Sequence, residues 1–209
     1  MRCRTLFAAG LLVSAGVAMA ADPATIARAG APGVAACSSC HGAAGEGQGS
    51  FPRLAGLDSA YLARQLDDFA TGRRANAVMS PIAKALASAD RQALAQHYAR
   101  LPPPPAATAA RGDPAGQRLA MRGAWAKSVP ACVQCHGPGG RGVGAAFPAL
   151  AGQSAAYISA QLKAFRDGLR KNDPQALMRA PASRLSDDEI AAVAQWFSVQ
   201  PARRPGGDP

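Results

Sequence analysis

The sequence predicts an all-α protein made of two similar helical domains in tandem. Three observations carry this reading. Segments of the chain recur at a nearly constant offset, so that Phe51-Pro52-x-Leu54-Ala55-Gly56 returns as Phe147-Pro148-x-Leu150-Ala151-Gly152. Apolar residues fall at helical spacing in both copies: Tyr61, Leu62, Leu66 and Phe69, then Tyr157, Ile158, Leu162 and Phe165. No alternating β-branched run of any length interrupts them.

Residues 1–20 read as a secretory signal. Arg2 and Arg4 precede an apolar stretch from Leu6 to Val17, and Ala18-Met19-Ala20 is an A-x-A cleavage site. Cleavage after Ala20 makes Ala21 the first mature residue and predicts a periplasmic protein. The apolar stretch is too short for a spanning helix, and no later segment matches it without charge. Membrane association is therefore at most peripheral. Cys3 lies within the leader and does not follow the cleavage site, where a lipoprotein cysteine would stand.

The first domain spans 21–101 and the second 113–201. Between them, 102–112 starts with Pro102-Pro103-Pro104-Pro105 and continues Ala-rich, a stiff, extended linker. Residues 202–209 form a short tail. Each domain opens on an N-cap acid followed by Pro, Asp22-Pro23 and Asp113-Pro114. The last helix of the second domain starts at a capping box, Ser186-Asp187-Asp188-Glu189, and continues with Ile190, Val193, Ala194 and Phe197 on one face. Matching residues lie 95, then 96, then 99 positions apart along the chain, so small loop insertions lengthen the second copy.

Each copy contains one CxxCH: Cys37-Ser38-Ser39-Cys40-His41 and Cys132-Val133-Gln134-Cys135-His136. Two thiols three residues apart lie on one side of a helical turn, where they can add to the two vinyl groups of one porphyrin. The following His then falls beneath the iron and supplies an axial nitrogen. The pattern is the attachment signature of covalent haem c. It predicts two such groups, held by Cys37, Cys40, Cys132 and Cys135, with His41 and His136 as axial ligands. Two disulfides would leave the His residues and the duplication unexplained. A thioredoxin-like CxxC lacks its βαβ setting, and the gap from Cys40 to Cys132 is far longer than zinc-site spacings. Gly-rich stretches follow both motifs, where chain must turn near a porphyrin edge.

The group opposite His41 and His136 separates a carrier from an enzyme. Met79 and Met178 stand at equivalent places, each seven residues before Leu86 or Leu185. A lone Met is ordinarily a core filler, but here the repeat supplies one for each iron. His/Met ligation raises a haem potential relative to bis-His. Met121 has no counterpart and reads as core. His97 aligns with Trp196 and reads as a packing or partly exposed side chain. Trp125 reads as haem-pocket or interdomain packing. Pro52 and Pro148 follow the His by eleven and twelve residues. Either they end a loop, or their carbonyls accept a hydrogen bond from the ring Nδ1 and fix its orientation.

The mature chain carries a formal +8, and the excess is uneven: +2 over residues 21–104 and +6 over 105–209. Export and the absence of an aromatic–basic motif argue against nucleic acid, and an acidic protein face is the better partner. Lys163, Arg166, Arg170, Lys171, Arg179 and Arg184 surround the Met178 loop and suggest its docking face.

Taken together, CxxCH-G, F-P-x-L-A-G, the Tyr/Gln/Phe helix and a distal Met, each present twice, resemble the dihaem cytochrome c4 family, with tandem class I cytochrome c domains. The resemblance covers nearly the whole mature chain and is strongest from Pro130 to Phe197. It implies haem propionates near an interface between two domains related by a pseudo-twofold axis. It implies electron transport in the periplasm from a bc1-type donor towards a terminal oxidase. It supports the axial roles of His41, Met79, His136 and Met178, and the ring contacts of Pro52 and Pro148. Related dihaem subunits accept electrons from dehydrogenases, which is the alternative role. A dihaem peroxidase would need an open iron, which a Met in both copies opposes.

Overall fold

The computed structural model describes residues 22–105 and 112–202. The expected leader, 1–20, lies outside the described residues, with part of the expected linker and nearly all of the tail. Ten α-helices are formed there, in two sets of five that follow the same order.

The first helix of each set is α1 (Pro23–Ala29) or α6 (Pro114–Arg122). The Asp22 carboxylate accepts from the backbone N–H groups of Ala24 and Thr25, and that of Asp113 from Ala115 and Gly116. Such a cap stabilises by about 1 kcal/mol. The following Pro lacks only an N–H that would have no partner. Next come the short CxxCH helices, α2 (Ser38–His41) and α7 (Cys132–His136). The amphipathic helices α3 (Ser59–Thr71) and α8 (Ala155–Arg166) start at Asp58 and Ser154, whose side chains accept from the N–H groups of Tyr61 and Tyr157. After the Met loops come α4 (Met79–Ala85) and α9 (Arg179–Ala182), then α5 (Ser88–Arg100) and α10 (Asp187–Ser198). Helix α10 opens on the expected capping box of Ser186 and Glu189.

The last helix of each set packs against its first and third. In the first half, Leu94 and Tyr98 of α5 join Ile26 of α1 and Leu62 of α3 in one core. In the second, Ile190, Val193 and Phe197 of α10 join Leu119 of α6 and Ile158 of α8. Strand pairing among the described residues is confined to four isolated bridges, two per half.

One glycine per half fixes how the haem-motif loop meets the last helix. The carbonyl of Gly45 accepts from the N–H groups of Leu54 and Ala55, and that of Gly140 from Leu150 and Ala151. Both glycines have positive φ, +72° and +75°. A Cβ there would overlap the ring of Tyr98 or Phe197. Gly140→Ala is expected to destabilise the holoprotein by about 2 kcal/mol, through backbone strain and ring displacement. An unchanged thermal midpoint would count against this account.

One packing expectation fails. Met121 is 48% exposed rather than core, because the buried stripe of α6 runs through Gly116, Leu119 and Ala120. Gly116 lies so close to the carbonyl of Ala192 on α10 that a side chain there would clash. Trp125 is 64% exposed and takes no part in the second core. The bridge Ala31↔Val34 of the first half becomes Ala124↔Val129 in the second, with two more residues inside it. The longer turn carries Trp125 outward and is closed by Ser128 at φ +54°.

Candidate haem-binding sites

Each site is built from a CxxCH turn and the F-P-x-L segment beneath it. His41 and His136 are both buried, 6% exposed. Nδ1 of His41 lies 2.8 Å from the carbonyl oxygen of Pro52, and Nδ1 of His136 lies 2.7 Å from that of Pro148. A carbonyl only accepts, so Nδ1 carries the proton and the Nε2 lone pair is left for a metal. Burial lowers the pKa of both rings, outweighing the carbonyl that favours protonation. The rings are therefore neutral at physiological pH, as a metal ligand requires.

The residue before each proline holds the ring from the side. Phe51 meets His41 edge-on at 6.3 Å between centroids, and Phe147 meets His136 at 6.2 Å. Sequence reasoning singled out the prolines but missed this role of the phenylalanines. Their signal was present, since Phe precedes Pro in both copies. None of the four cysteines in the described residues is joined to another in a disulfide. Burial raises the pKa of Cys37 and pushes Cys132 up to about 11. Among the described residues no three His, Cys, Asp or Glu side chains gather as a metal cluster. Paired cysteines without a disulfide, beside a neutral buried imidazole with a free Nε2, fit a covalently attached haem.

The two Met loops are anchored by equivalent short polar side chains. Asn76 Oδ1 accepts from the N–H groups of Val78 and Met79, at 3.0 and 2.8 Å. Asp173 Oδ2 accepts from those of Met178 and Arg179, at 3.0 and 2.9 Å. Burial works to raise the Asp173 pKa, but these N–H donors and the Arg179 side chain hold it below its ordinary value. The second loop is longer, and Gln175 and Ala176 within it take positive φ values of 53° and 57°. Met79 and Met178 are both half-buried, each beside the start of a short helix.

Between the halves lies a buried polar cluster. Arg74 donates to Gln65 Oε1 at 2.9 Å, Gln161 Oε1 at 2.7 Å and the Tyr157 hydroxyl at 2.9 Å. Arg170 donates to Gln161 Oε1 at 2.9 Å and Gln65 Oε1 at 3.0 Å. Each guanidinium stacks 4.5 Å from the centroid of its own domain's ring, Phe69 or Phe165. Asn172 adds hydrogen bonds to Gln65 and Asp68.

This cluster removes Arg170 from the docking face expected around Met178. Arg170 is 8% exposed and faces the first half, not solvent. Lys163 and Arg166 pair with Asp187 at the start of α10, and Arg179 pairs with Asp173. Of the six cations, Lys171 and Arg184 stay exposed without a carboxylate partner. Asp167, Asp173 and Asp187 pair with Lys163, Arg166 and Arg179, and amides hold Arg170, which a count of charge along the chain cannot reveal.

The cytochrome c family model matches residues 27–99 and again 114–198. The chain is 51% identical to the thiosulfate dehydrogenase electron acceptor of Stutzerimonas stutzeri (strain A1501), over 80% of each. Among solved structures it is similar to thiosulfate dehydrogenase from Marichromatium purpuratum, with 44% identity and a TM-score of 0.79. That match covers 86% of this chain but 40% of the other. It is also similar to reduced cytochrome c4 from Pseudomonas stutzeri, with 32% identity and a TM-score of 0.73, over 79% of this chain and 94% of that one.

Proposed function

Because the chain belongs to the cytochrome c family, as a dihaem electron carrier of the cytochrome c4 kind with two covalent haem c groups, we propose that it accepts single electrons from a periplasmic thiosulfate dehydrogenase and passes them towards a terminal oxidase. The observation that carries this choice of donor is the 51% identity to a thiosulfate dehydrogenase electron acceptor, against 43% to the cytochrome c4 of Thiocapsa roseopersicina. When bound, the haems supply one-electron exchange between Fe(II) and Fe(III). Cys37, Cys40, Cys132 and Cys135 hold them covalently. His41 and His136 would bind the irons through Nε2, with the carbonyls of Pro52 and Pro148 fixing ring tautomer and tilt. Met79 and Met178 would supply the second protein ligand to each iron and keep small molecules off it. Among the described residues no helix is long and apolar enough to cross a membrane.

The second half exposes Arg118, Arg122, Arg141, Lys171 and Arg184 with no carboxylate salt-bridge partner among the described residues. They suit an acidic docking face, whose attraction speeds encounter and is screened over about 10 Å at 0.1 M salt. A second reading is a free carrier from a bc1-type complex to the oxidase, favoured by the match over 94% of the cytochrome c4 chain. Stopped-flow mixing of the oxidised protein with thiosulfate and a thiosulfate dehydrogenase decides between them. The donor proposed here predicts full reduction, about tenfold faster at 10 mM than at 300 mM salt. Reduction by a bc1 complex alone would transfer the assignment to the second reading.

A further inference from the structure

Arg53 is the most deeply buried charged residue among those described, 1% exposed. It directly follows Pro52, whose carbonyl meets His41. Its side chain crosses to the other half. Nη2 donates to the carbonyl of Ala151 at 2.9 Å, Nε donates to that of Gly152 at 3.3 Å, and Nη1 donates to that of Ala55. Gln153 clasps its backbone, accepting from the Arg53 N–H at 2.8 Å and donating to its carbonyl at 3.0 Å. Ala151 and Gly152 belong to the same F-P-x-L-A-G segment as Pro148, whose carbonyl meets His136. One guanidinium thus spans the two segments that orient the two imidazoles.

Every acceptor of this guanidinium is a backbone carbonyl, and no carboxylate hydrogen-bonds to it. Carbonyl dipoles satisfy its protons without cancelling its charge. Burial lowers its pKa to about 10, which leaves it cationic at neutral pH. Burying a cation is costly, and the repeat does not require one, since Ala149 fills the equivalent place in the second copy. The position therefore calls for an account beyond packing.

We propose that Arg53 is a positioning residue common to both haem sites, which ties their His-orienting segments together and raises both reduction potentials. The inference rests on the reading that His41 and His136 bind the irons. Oxidation adds a positive charge at an iron. A fixed buried cation opposes that charge and favours the reduced state. Because the guanidinium bridges the two segments, the effect reaches both sites.

Spectroelectrochemical titration of the dihaem protein tests this on three variants. Arg53→Gln removes the charge and is expected to shift both redox steps towards the oxidised form, by about tenfold in the oxidised-to-reduced ratio at fixed potential, as a buried unit charge does at an effective dielectric near 20. Arg53→Lys keeps the charge and is expected to restore both steps to within about twofold while lowering thermal stability, because it loses the planar fork. Gln153→Leu breaks the clasp but leaves the cation, so stability falls and both steps stay in place. If Arg53→Gln does not fold, the same comparison is made between Arg53→Lys and Arg53→Met. Potentials unmoved by loss of charge would overturn the proposal, as would a shift in one step only. Loss of a haem from the unsubstituted protein would instead overturn the reading of the sites on which it rests.

Discussion

Met178→Ala is expected to open the iron of the second site and lower its potential, while the first site stays closed. Met79→Ala should do the same to the first site alone. The thioether is soft and neutral and stabilises Fe(II) over Fe(III), so its loss shifts the balance towards the oxidised form. A drop on the order of 0.1 V is expected, within the roughly 0.8 V that axial ligands span. The unsubstituted, reduced protein should bind carbon monoxide only slowly at neutral pH, and each variant should bind it quickly at one site. The Asn76 and Asp173 anchors hold their loops through backbone N–H groups, which the substitutions keep. Rapid carbon monoxide binding by the unsubstituted protein at either site would refute Met ligation there and favour a peroxidase.

The second large effect concerns Arg170. Arg170→Ala strips hydrogen bonds from Gln65, Gln161 and Asn172 at once. Hydrogen bonds to a charged group contribute roughly 1.5–3 kcal/mol each, and Asn172 Oδ1 loses its donor while Gln65 and Gln161 keep that of Arg74. A loss of about 3 kcal/mol is expected in denaturant unfolding of the holoprotein, with the two halves melting separately. The adjacent Lys171 is exposed, and Lys171→Ala should change stability by less than about 0.5 kcal/mol. Equal effects of the two substitutions would mean that the cluster between the halves contributes little.

Much of this molecule was legible before its coordinates. Asp-Pro starts, the capping box and the apolar spacing around Tyr61 and Tyr157 are local signals, and the helices form where those signals stand. The CxxCH and F-P-x-L segments are legible because covalent attachment and ring orientation demand fixed spacing. What stayed hidden is pairing across the halves. Arg74, Arg170 and Arg53 look like surface cations in one dimension, and no periodicity marks their partners some hundred residues away. Turn length also sets the direction of Trp125, which stands exposed on a turn with two extra residues. Likewise, the cations around Met178 were counted without the acids that fold beside them.

The exchange between Arg74, Gln65, Arg170 and Gln161 has a consequence for symmetry. Each arginine reaches the glutamine of its own half and that of the other, so the contact is self-complementary. Isologous contacts of this kind are what a C2 homodimer makes. Halves joined in one chain need not be alike, and the Arg53 and Gln153 clasp uses that freedom, because Ala149 and Leu57 stand at their counterparts and no second clasp is made among the described residues. The tandem chain is thus a covalent dimer, twofold in one cluster and one-sided in the next.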